Sequence, residues 1–241
     1  MQRNDTPPLT DADELRKTIE WAILSRRSVR AFLPTPVPRE TLESILDVAR
    51  FAATGVNIQP WRVHVVTGPA KDRICAAIQR AIDDTAFDQT FADEWDYYPR
   101  EWISPYLERR RTVGWNLYGL LGIEKGDKER MKAQHSRNYK FFDAPVGLFF
   151  TIDRVMQKGS LIDYGMFLQN IMIAARAHGL STCPQAAFMK YHKIIANQLQ
   201  LHPSEMFLVG MSLGFADPSS IENSLVTERA EVSAFSTFHS E

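Results

Sequence analysis

The segment from residue 25 to residue 61 opens with SRRSVRAF (25–32) and closes with FAATGVNIQPW (51–61). The opening piece gathers basic and hydroxyl side chains in a short stretch: Arg26, Arg27, Ser28 and Arg30. Each guanidinium offers a rigid fork of donors that matches the oxygens of a phosphate, and the hydroxyl adds a further hydrogen bond. A basic run is also typical of a solvated face, so this piece alone leaves both interpretations open.

The closing piece places two amides, Asn57 and Gln59, in a Gly-Val turn that leads into Pro60 and Trp61. A pair of amides offers both donors and acceptors, which suits the edge of a flat heterocycle. Asparagine near glycine also commonly satisfies the backbone of its own turn, and this alternative stays open. Together, the two pieces indicate a phosphorylated, ring-bearing cofactor such as FMN.

The bulk composition restricts the class of protein. The chain has 241 residues, 44% hydrophobic and 24% charged, so it is long enough for one large domain with a substantial core. A net charge of -1 gives no general attraction to nucleic acid or to an anionic membrane. The longest apolar run, residues 144–152, is too short to span a bilayer, and the polar N-terminus shows no secretory signal. We therefore expect a soluble, cytoplasmic protein without nucleic-acid or membrane partners.

Neither metal-binding nor nucleotide-binding motifs occur in the sequence. The two cysteines, Cys75 and Cys183, and the six histidines show no metal-ligand spacing, so we expect no metal site. The absence of GxGxxG and GxxxxGK[ST] gives no support to a Rossmann or P-loop site. No basic neighbour in the sequence would lower the pKa of Cys183, which predicts a buried structural thiol rather than a redox centre.

Hydrophobic periodicity predicts helices alternating with strands, the arrangement of a layered α/β or α+β domain. The predicted helices cover residues 11–25, the stretch opened by Pro38, and residues 71–83, 160–179 and 190–199. The predicted strands cover residues 61–68, 144–153 and 206–215, with a short extended piece at 181–184. We expect a single domain over residues 1–241, with residues 1–9 as a flexible arm.

Local signals refine three of these helix ends. Thr10 is the predicted N-cap of the first helix, and Gly55 is predicted to end the helix that Pro38 opens. Ser160 and Asp163 stand in capping-box positions at the start of the helix 160–179. That helix is apolar nearly all round, which predicts burial on every side, at the domain centre or in a subunit interface.

Four segments of the chain, in the same order, resemble the FMN-dependent nitroreductase family. In that family the first segment binds the FMN phosphate and ribityl chain, which here implicates the residues of the opening piece: Arg26, Arg27, Ser28 and Arg30. The second has the form Pro-Ser-Ser-x-Asn-x-Gln-Pro-Trp, and the partner subunit contributes part of it to the flavin. This chain has Ala-Thr-Gly in place of Pro-Ser-Ser. The resemblance implicates four positions there: Thr54, Gly55, Asn57 and Gln59.

The third and fourth segments lie in the C-terminal half. GLSTCPQAAF (179–188) resembles the family loop along the isoalloxazine edge, where a backbone N–H near the flavin N5 tunes hydride transfer. This loop implicates four residues: Cys183, Pro184, Gln185 and Ala186. VGMSLGFADP (209–218) is similar to the closing strand of the family, which implicates Gly214, with the downstream Arg229 reaching the phosphate.

The resemblance implies a nitroreductase-like α+β (layered α/β) fold, with a central mixed, mostly antiparallel sheet flanked by helices, in an intertwined homodimer. It implies FMN as cofactor, NADH or NADPH as reductant, and a small aromatic oxidant, either a nitroaromatic compound or a quinone. Hydride would pass through the flavin N5 in a ping-pong cycle, and no side chain need act as an acid or base. The tail 217–241 would cross to the partner subunit, and residues 86–134 would form a variable lid over the substrate.

Several alternatives stay open at this point. The same scaffold hosts reductive dehalogenation, enone reduction and flavin fragmentation, and a non-catalytic protein that stores or senses FMN would need the same ligands. The triplet Arg109–Arg111 is either solvated surface or a site for a substrate carboxylate or for dinucleotide phosphates. The aromatic residues between Trp95 and Tyr118 either line a substrate pocket or pack in the core or a dimer interface.

Overall fold

A computed structural model describes residues 11–240, which fold around one antiparallel sheet. The sheet has four strands in the order β1-β2-β4-β3. Their bounds are Trp61–Thr67 (β1), Val146–Asp153 (β2), Ser181–Gln185 (β3) and Glu205–Gly214 (β4). The three strand pairings are antiparallel, and an isolated parallel bridge joins Ser28 to Thr182 beside β3.

Helices cover both faces of this sheet, which confirms the predicted α+β class. The α-helices of residues 11–240 are Ala12–Ser25 (α1), Arg39–Ala49 (α2), Gly68–Asp83 (α3), Thr85–Asp88 (α4), Tyr106–Leu120 (α5), Lys128–Ser136 (α6), Lys158–Ala177 (α7) and His192–Leu199 (α8). Shorter 3-10 segments lie at Gly55–Asn57, Arg137–Asp143, Ala186–Tyr191, Ile221–Ser224 and Val232–Ala234. None of the helices in this part of the chain is long and apolar enough to cross a membrane.

The core lies on both faces of the two central strands, β2 and β4. Strand β2 is an apolar run whose residues are buried from its first position to its seventh, as expected for a strand covered on both sides. One face packs against α2 and α7, with these side chains buried between the layers: Ile45, Phe167 and Ile171. The other face packs against α3 and the segment 186–191, with another buried set: Ile74, Ile78 and Phe188.

Two helix ends differ from the sequence predictions. Thr10 lies outside the described residues, and α1 is capped by Asp11, whose carboxylate accepts the N–H of Asp13 at 2.8 Å. The helix that Pro38 opens ends at Ala49 rather than at Gly55. The N–H groups of residues 51 and 52 bond to carbonyls three positions back, so the helix tightens into a turn before Gly55 is reached.

The predicted capping box at Ser160 and Asp163 is wrong. Helix α7 begins at Lys158, and its N-cap residue, Gln157, makes no side-chain capping bond. The carboxylate of Asp163 instead accepts the N–H of Gly55 at 3.2 Å. This bond fastens the turn before β1 to α7, so the acidic residue serves tertiary packing rather than its own helix.

Within one chain, α7 is buried on one side only. Its buried side is made of five residues: Ser160, Tyr164, Phe167, Ile171 and Ala175. On the other side, Ile162 and Met166 are 70% and 38% exposed. The burial on every side that the sequence predicts is therefore not reached within a single subunit.

A left-handed stretch of backbone precedes β2. Phe141, Phe142 and Asp143 have φ angles of 55°, 51° and 68°, which are costly for residues other than glycine. The ring of Phe141 is fully buried across Gly147, where a Cβ atom would stand 2.7 Å or less from three ring atoms. The lack of a side chain at Gly147 therefore lets the stretch 141–143 close against the sheet.

Candidate functional site

A cavity of about 720 Å³ lies beyond the C-terminal end of α1. Its lining includes all of the residues predicted to bind a phosphate: Arg26, Arg27, Ser28, Arg30 and Arg229. Val113 of α5 and the chain segment 225–227 complete the wall. The structure thus brings the tail after β4 to the basic segment after α1 of the same chain.

Positive charge in this cavity is not balanced by carboxylates. Across residues 11–240, none of its four arginines forms an ion pair. Arg30 donates to the carbonyl of Ser28 at 3.2 Å, and burial together with the charge of Arg229 lowers the pKa of Arg26. Like charges held this close favour an anion between them, and a phosphate accepts several charge-assisted hydrogen bonds at once.

A second cavity, of about 440 Å³, adjoins the first, because Arg30 lines both. Part of its wall is the loop predicted to follow the edge of a flavin: Cys183, Pro184, Gln185 and Ala186. Aromatic side chains form another part: Tyr98, Tyr118, Tyr139 and Phe142. Flat rings pack well against such walls. The two cavities together suit an elongated ligand with a phosphate at one end and a planar ring at the other.

One polar atom in the second cavity has no partner. The side-chain nitrogen Nε2 of Gln134, on α6, is buried and forms no hydrogen bond with any described residue. Buried donors are normally paired, so an unpaired donor in a cavity wall is consistent with a ligand that carries an acceptor. The unpaired arginines, the planar walls and this free donor all fit FMN.

The thiol of Cys183 belongs to a residue of the cavity wall and is buried. It is 3% exposed, and burial raises its pKa to about 11, so the thiol is neutral at physiological pH. The prediction of a buried structural cysteine is confirmed. In the part of the chain that the structure describes, no group of three or more His, Cys, Asp or Glu side chains could hold a metal ion.

The turn between α2 and β1 does not reach either cavity of its own chain. The residues predicted there as cofactor ligands line neither cavity: Thr54, Gly55, Asn57 and Gln59. Left-handed backbone at Asn57 and Gln59, with φ of 60° and 51°, shapes this turn. A single chain therefore does not bring these amides to its own arginines, and their predicted role requires the site of a second subunit.

Gly214 also lies outside both cavity linings. It is buried at the end of β4, where a Cβ atom would stand 2.7 Å from Pro145 and 3.3 Å from the ring of Phe32. A side chain at this position would have to displace a proline ring packed against the backbone. Close packing accounts for the glycine without a cofactor contact.

Four polar residues of the second cavity were not predicted from the sequence: Gln134, His135, Asn138 and Lys190. They come from α6 and from the two 3-10 segments beside it, and no motif marks any of them. Lys190 donates to Asp88 at 2.6 Å, and the hydroxyl of Tyr191 donates to the other carboxylate oxygen at 2.5 Å. These bonds fasten α4 to the cavity wall.

Replacing Asp88 with asparagine is expected to lower the melting temperature at pH 7. Burial by itself would raise the pKa of Asp88, but the bonds from Lys190 and Tyr191 outweigh it and hold the pKa below its ordinary value. Such a carboxylate stabilises the fold above its unfolded pKa, and this contribution is lost as the pH falls through the folded pKa. The difference between wild type and Asp88→Asn should therefore shrink below about pH 4.

Melting temperatures of the two proteins between about pH 3 and pH 8 check this expectation. This range includes both the unfolded pKa of Asp88, about 4, and the neutral region. The exposed Asp72 provides a matched control, and Asp72→Asn should leave the melting temperature unchanged throughout. A difference between wild type and Asp88→Asn that stays constant with pH would contradict the assigned ion pair.

Helix α5 contributes to both cavities, with Val113 in the first and Leu117 in the second. The triplet Arg109–Arg111 lies in the first half of this helix, is exposed, and lines neither cavity. The guanidinium of Arg110 stands 4.8 Å from the ring centroid of Trp102. These positions favour the interpretation of the triplet as solvated surface.

Known proteins resemble this chain over most of its length. Residues 23–215 match the family model described as Nitroreductase family. The chain is 42% identical over 224 residues to a 4-nitrobenzoate reductase of Pseudomonas putida, covering 93% of this chain and 96% of the relative. It is 39% identical over 220 residues to a nitrobenzene nitroreductase of Ectopseudomonas oleovorans, covering 91% and 96%. The FMN and NADPH-dependent nitroreductase NfnB from Sphigopyxis sp. strain HMH has a similar structure, with a TM-score of 0.89, 34% identity, and coverage of 92% of this chain and 99% of that one.

Proposed function

Because the chain belongs to the nitroreductase family, we propose that it is an FMN-dependent NAD(P)H oxidoreductase that reduces nitroaromatic compounds. The observation that supports this most strongly is the pair of adjoining cavities, one with unpaired arginines and one with aromatic walls. FMN carries its phosphate and its ring at opposite ends of a ribityl chain. Arg30, which lines both cavities, would lie between the two ends.

The predicted ligands then have distinct roles. The guanidiniums of the first cavity would neutralise the phosphate, and the hydroxyl of Ser28 would add a hydrogen bond. The loop 183–187 would lie along the ring, with backbone groups of Gln185 and Ala186 facing it. When bound, FMN would supply the redox chemistry, which is hydride transfer from NADH or NADPH to the oxidant.

The aromatic wall of the second cavity would receive the substrates. Tyr98 and Tyr118 offer flat faces on which a nicotinamide or a nitroaromatic ring can pack. Two relatives are named for nitrobenzoate and nitrobenzene, which makes nitroaromatic compounds the proposed class of oxidant, with quinones as a second class. No side chain is required as an acid or base, because water can supply the protons.

The proposal includes a homodimer in which the partner subunit completes each site. Large apolar side chains are exposed on α1, on α7 and just after α2: Trp21, Leu24, Phe51 and Ile162. Exposed apolar patches rimmed by polar residues mark interfaces. The turn 54–59 continues this surface and would reach the cavity of the partner. Residues 217–229 lie against their own chain, so only the tail after residue 229 would cross to the partner.

Loss of FMN and loss of the dimer are therefore expected to be coupled. If one subunit completes the site of the other, FMN binds the dimer better than the monomer and stabilises it by mass action. Sedimentation velocity across a dilution series, with apoprotein and with FMN-saturated protein, checks this. Equal dimer dissociation constants for the two forms would contradict a shared site.

Steady-state kinetics tests the catalytic proposal. When NADPH and 4-nitrobenzoate are varied together, a ping-pong cycle gives parallel double-reciprocal lines, because the oxidised nicotinamide leaves before the nitro compound binds. Intersecting lines would contradict the cycle. A quinone, an enone and a halogenated phenol, tested as oxidants under the same conditions, separate nitroreduction from the other reductive chemistries.

A further inference from the structure

A buried set of hydrogen bonds joins three elements beside the second cavity. We call it the Gln185 network, and its members are Gln185 at the end of β3, Ser212 in β4, and Asn138 in the segment 137–143. The hydroxyl of Ser212 donates to Oε1 of Gln185 at 2.6 Å. The amide nitrogen of Gln185 donates to the backbone carbonyl of Asn138 at 2.7 Å and lies 3.4 Å from its side-chain oxygen.

The side chain of Gln185 is occupied entirely within the protein. Gln185 is 2% exposed and Ser212 is 0% exposed. Both polar ends of the carboxamide already have partners, so neither is left to bind a substrate. Removing one partner of such a pair leaves a buried polar group unpaired, which destabilises the arrangement. The carboxamide therefore holds the end of β3 to β4 and to the segment 137–143.

The network fixes the loop that forms one wall of the second cavity. Both Gln185 and Asn138 line this cavity, from opposite elements, and the side-chain amide of Asn138 donates to the carbonyl of His135 at 2.9 Å. Directly after the loop, Phe188 packs over Gly210, where a Cβ atom would stand 2.5 Å from the ring. The backbone of residues 184–187 is thus held from both ends, while its outer surface faces the cavity.

From this arrangement we propose that Gln185 is a positioning residue. Through Ser212 and Asn138 it fixes the orientation of the backbone at residues 185 and 186 toward the ring of FMN, and so sets the relative affinity for oxidised and reduced FMN. This inference rests on the proposed function. It concerns a side chain whose polar atoms are already bonded within the protein.

The chemistry of the flavin N5 predicts which redox form of FMN loses more affinity when the network is broken. This nitrogen accepts a hydrogen bond in oxidised FMN but carries its own hydrogen in reduced FMN. A backbone N–H of the loop that donated to N5, as the resemblance to the family implies, would therefore favour the oxidised form. When the network is broken, the loop gains freedom, and the oxidised form should lose more affinity than the reduced form.

Two variants test the role of the network, and a third serves as a control. Gln185→Met keeps the length of the side chain without its amide, and Ser212→Ala removes only one hydroxyl. In both, the dissociation constant of oxidised FMN should rise about tenfold relative to that of reduced FMN, which raises the midpoint potential by about 30 mV. Gln198 is exposed on α8, and Gln198→Met should leave the potential unchanged.

A double-mutant cycle separates positioning from general loosening. If Gln185 and Ser212 act through the same hydrogen bond, the double variant should shift the potential no further than Gln185→Met alone. A merely structural role would lower the melting temperature and weaken both redox forms equally, with the potential unmoved. Ser212→Ala is the mildest of these changes. An unchanged midpoint potential in this variant would overturn the inference even if Gln185→Met does not fold.

The same experiment distinguishes the failure of this inference from the failure of the proposed function. A wild-type protein that binds no FMN, or whose bound FMN is not reduced by NADPH, contradicts the proposed function itself. A wild-type protein that binds FMN and is reduced, with potentials unchanged in both network variants, contradicts only the positioning role of Gln185.

Discussion

Arg30→Glu is expected to abolish FMN binding, with a dissociation constant at least about 1000-fold higher than that of wild type. The guanidinium of Arg30 lines both cavities and forms no ion pair with any residue among 11–240. Losing a charge-assisted bond costs about 1.5–3 kcal/mol, and a carboxylate beside a phosphate adds repulsion, so the total is about 4 kcal/mol.

The fold should survive this substitution. The backbone N–H of Arg30 donates to the side chain of Asn223 at 2.9 Å, and the substitution does not touch that bond. Arg73, exposed on α3 and outside both cavity linings, provides the control, and Arg73→Glu should bind FMN as wild type does. Fluorescence titration of each apoprotein with FMN measures the effect. If Arg30→Glu bound FMN with wild-type affinity, this result would contradict the proposal that the FMN phosphate lies in these cavities.

Gly147→Val is expected to have the largest effect on stability, about 3 kcal/mol or more. Any Cβ at this position would stand 2.7 Å or less from three ring atoms of Phe141. The ring has no free space to move into, because it packs against Phe149 and Phe188 at centroid distances of 5.3 and 4.6 Å. Its backbone is also held at a φ of 55°.

Urea unfolding of Gly147→Val, followed by circular dichroism, measures this destabilisation. Gly159 lies in the first turn of α7, and a Cβ there would meet no atom within 4 Å, so Gly159→Ala serves as the control and should change stability by less than about 0.5 kcal/mol. A midpoint for Gly147→Val equal to that of wild type would show that the stretch 141–143 is not fixed by this contact.

The arginine-lined cavity could be predicted from the sequence because most of its basic residues are nearly contiguous. Arg26, Arg27, Ser28 and Arg30 share one short segment, and a phosphate is recognised by local charge. The loop 183–186 could also be recognised in the sequence, because it lies at the end of an extended piece with a distinctive composition. The α+β class followed in the same way from alternating periodicity.

The rest of the second cavity could not be predicted, because it depends on contacts between distant parts of the chain. The bond from Gln185 to Asn138 spans 47 positions, and the bond from Lys190 to Asp88 spans 102. Nothing in the local sequence marks these partners. The amides at 57 and 59 show a different difficulty, since a pattern can indicate a ligand without indicating which subunit's site it enters.

Local capping rules were wrong where tertiary contacts compete for the same side chain. Asp163 fits a capping box by spacing, yet its carboxylate binds the N–H of Gly55, which lies 108 positions away in the sequence.

Packing also explains a glycine that the sequence pattern had indicated as a cofactor ligand. Gly214 fits the cofactor-binding pattern of its strand, yet its small size is required by Pro145. Both cases follow from packing between layers, which a single sequence does not display.

We propose that the two cavities bind FMN and place it where NADPH and a nitroaromatic compound can each reach it. The most direct test is the visible spectrum of the purified, FMN-saturated protein under anaerobic conditions, before and after NADPH and then after 4-nitrobenzoate. We expect one FMN per chain, flavin absorbance that bleaches with NADPH, and recovery when the nitro compound is added. Bound FMN that never bleaches would indicate a storage or sensing protein, and a protein that takes up no FMN would contradict the proposed cofactor site.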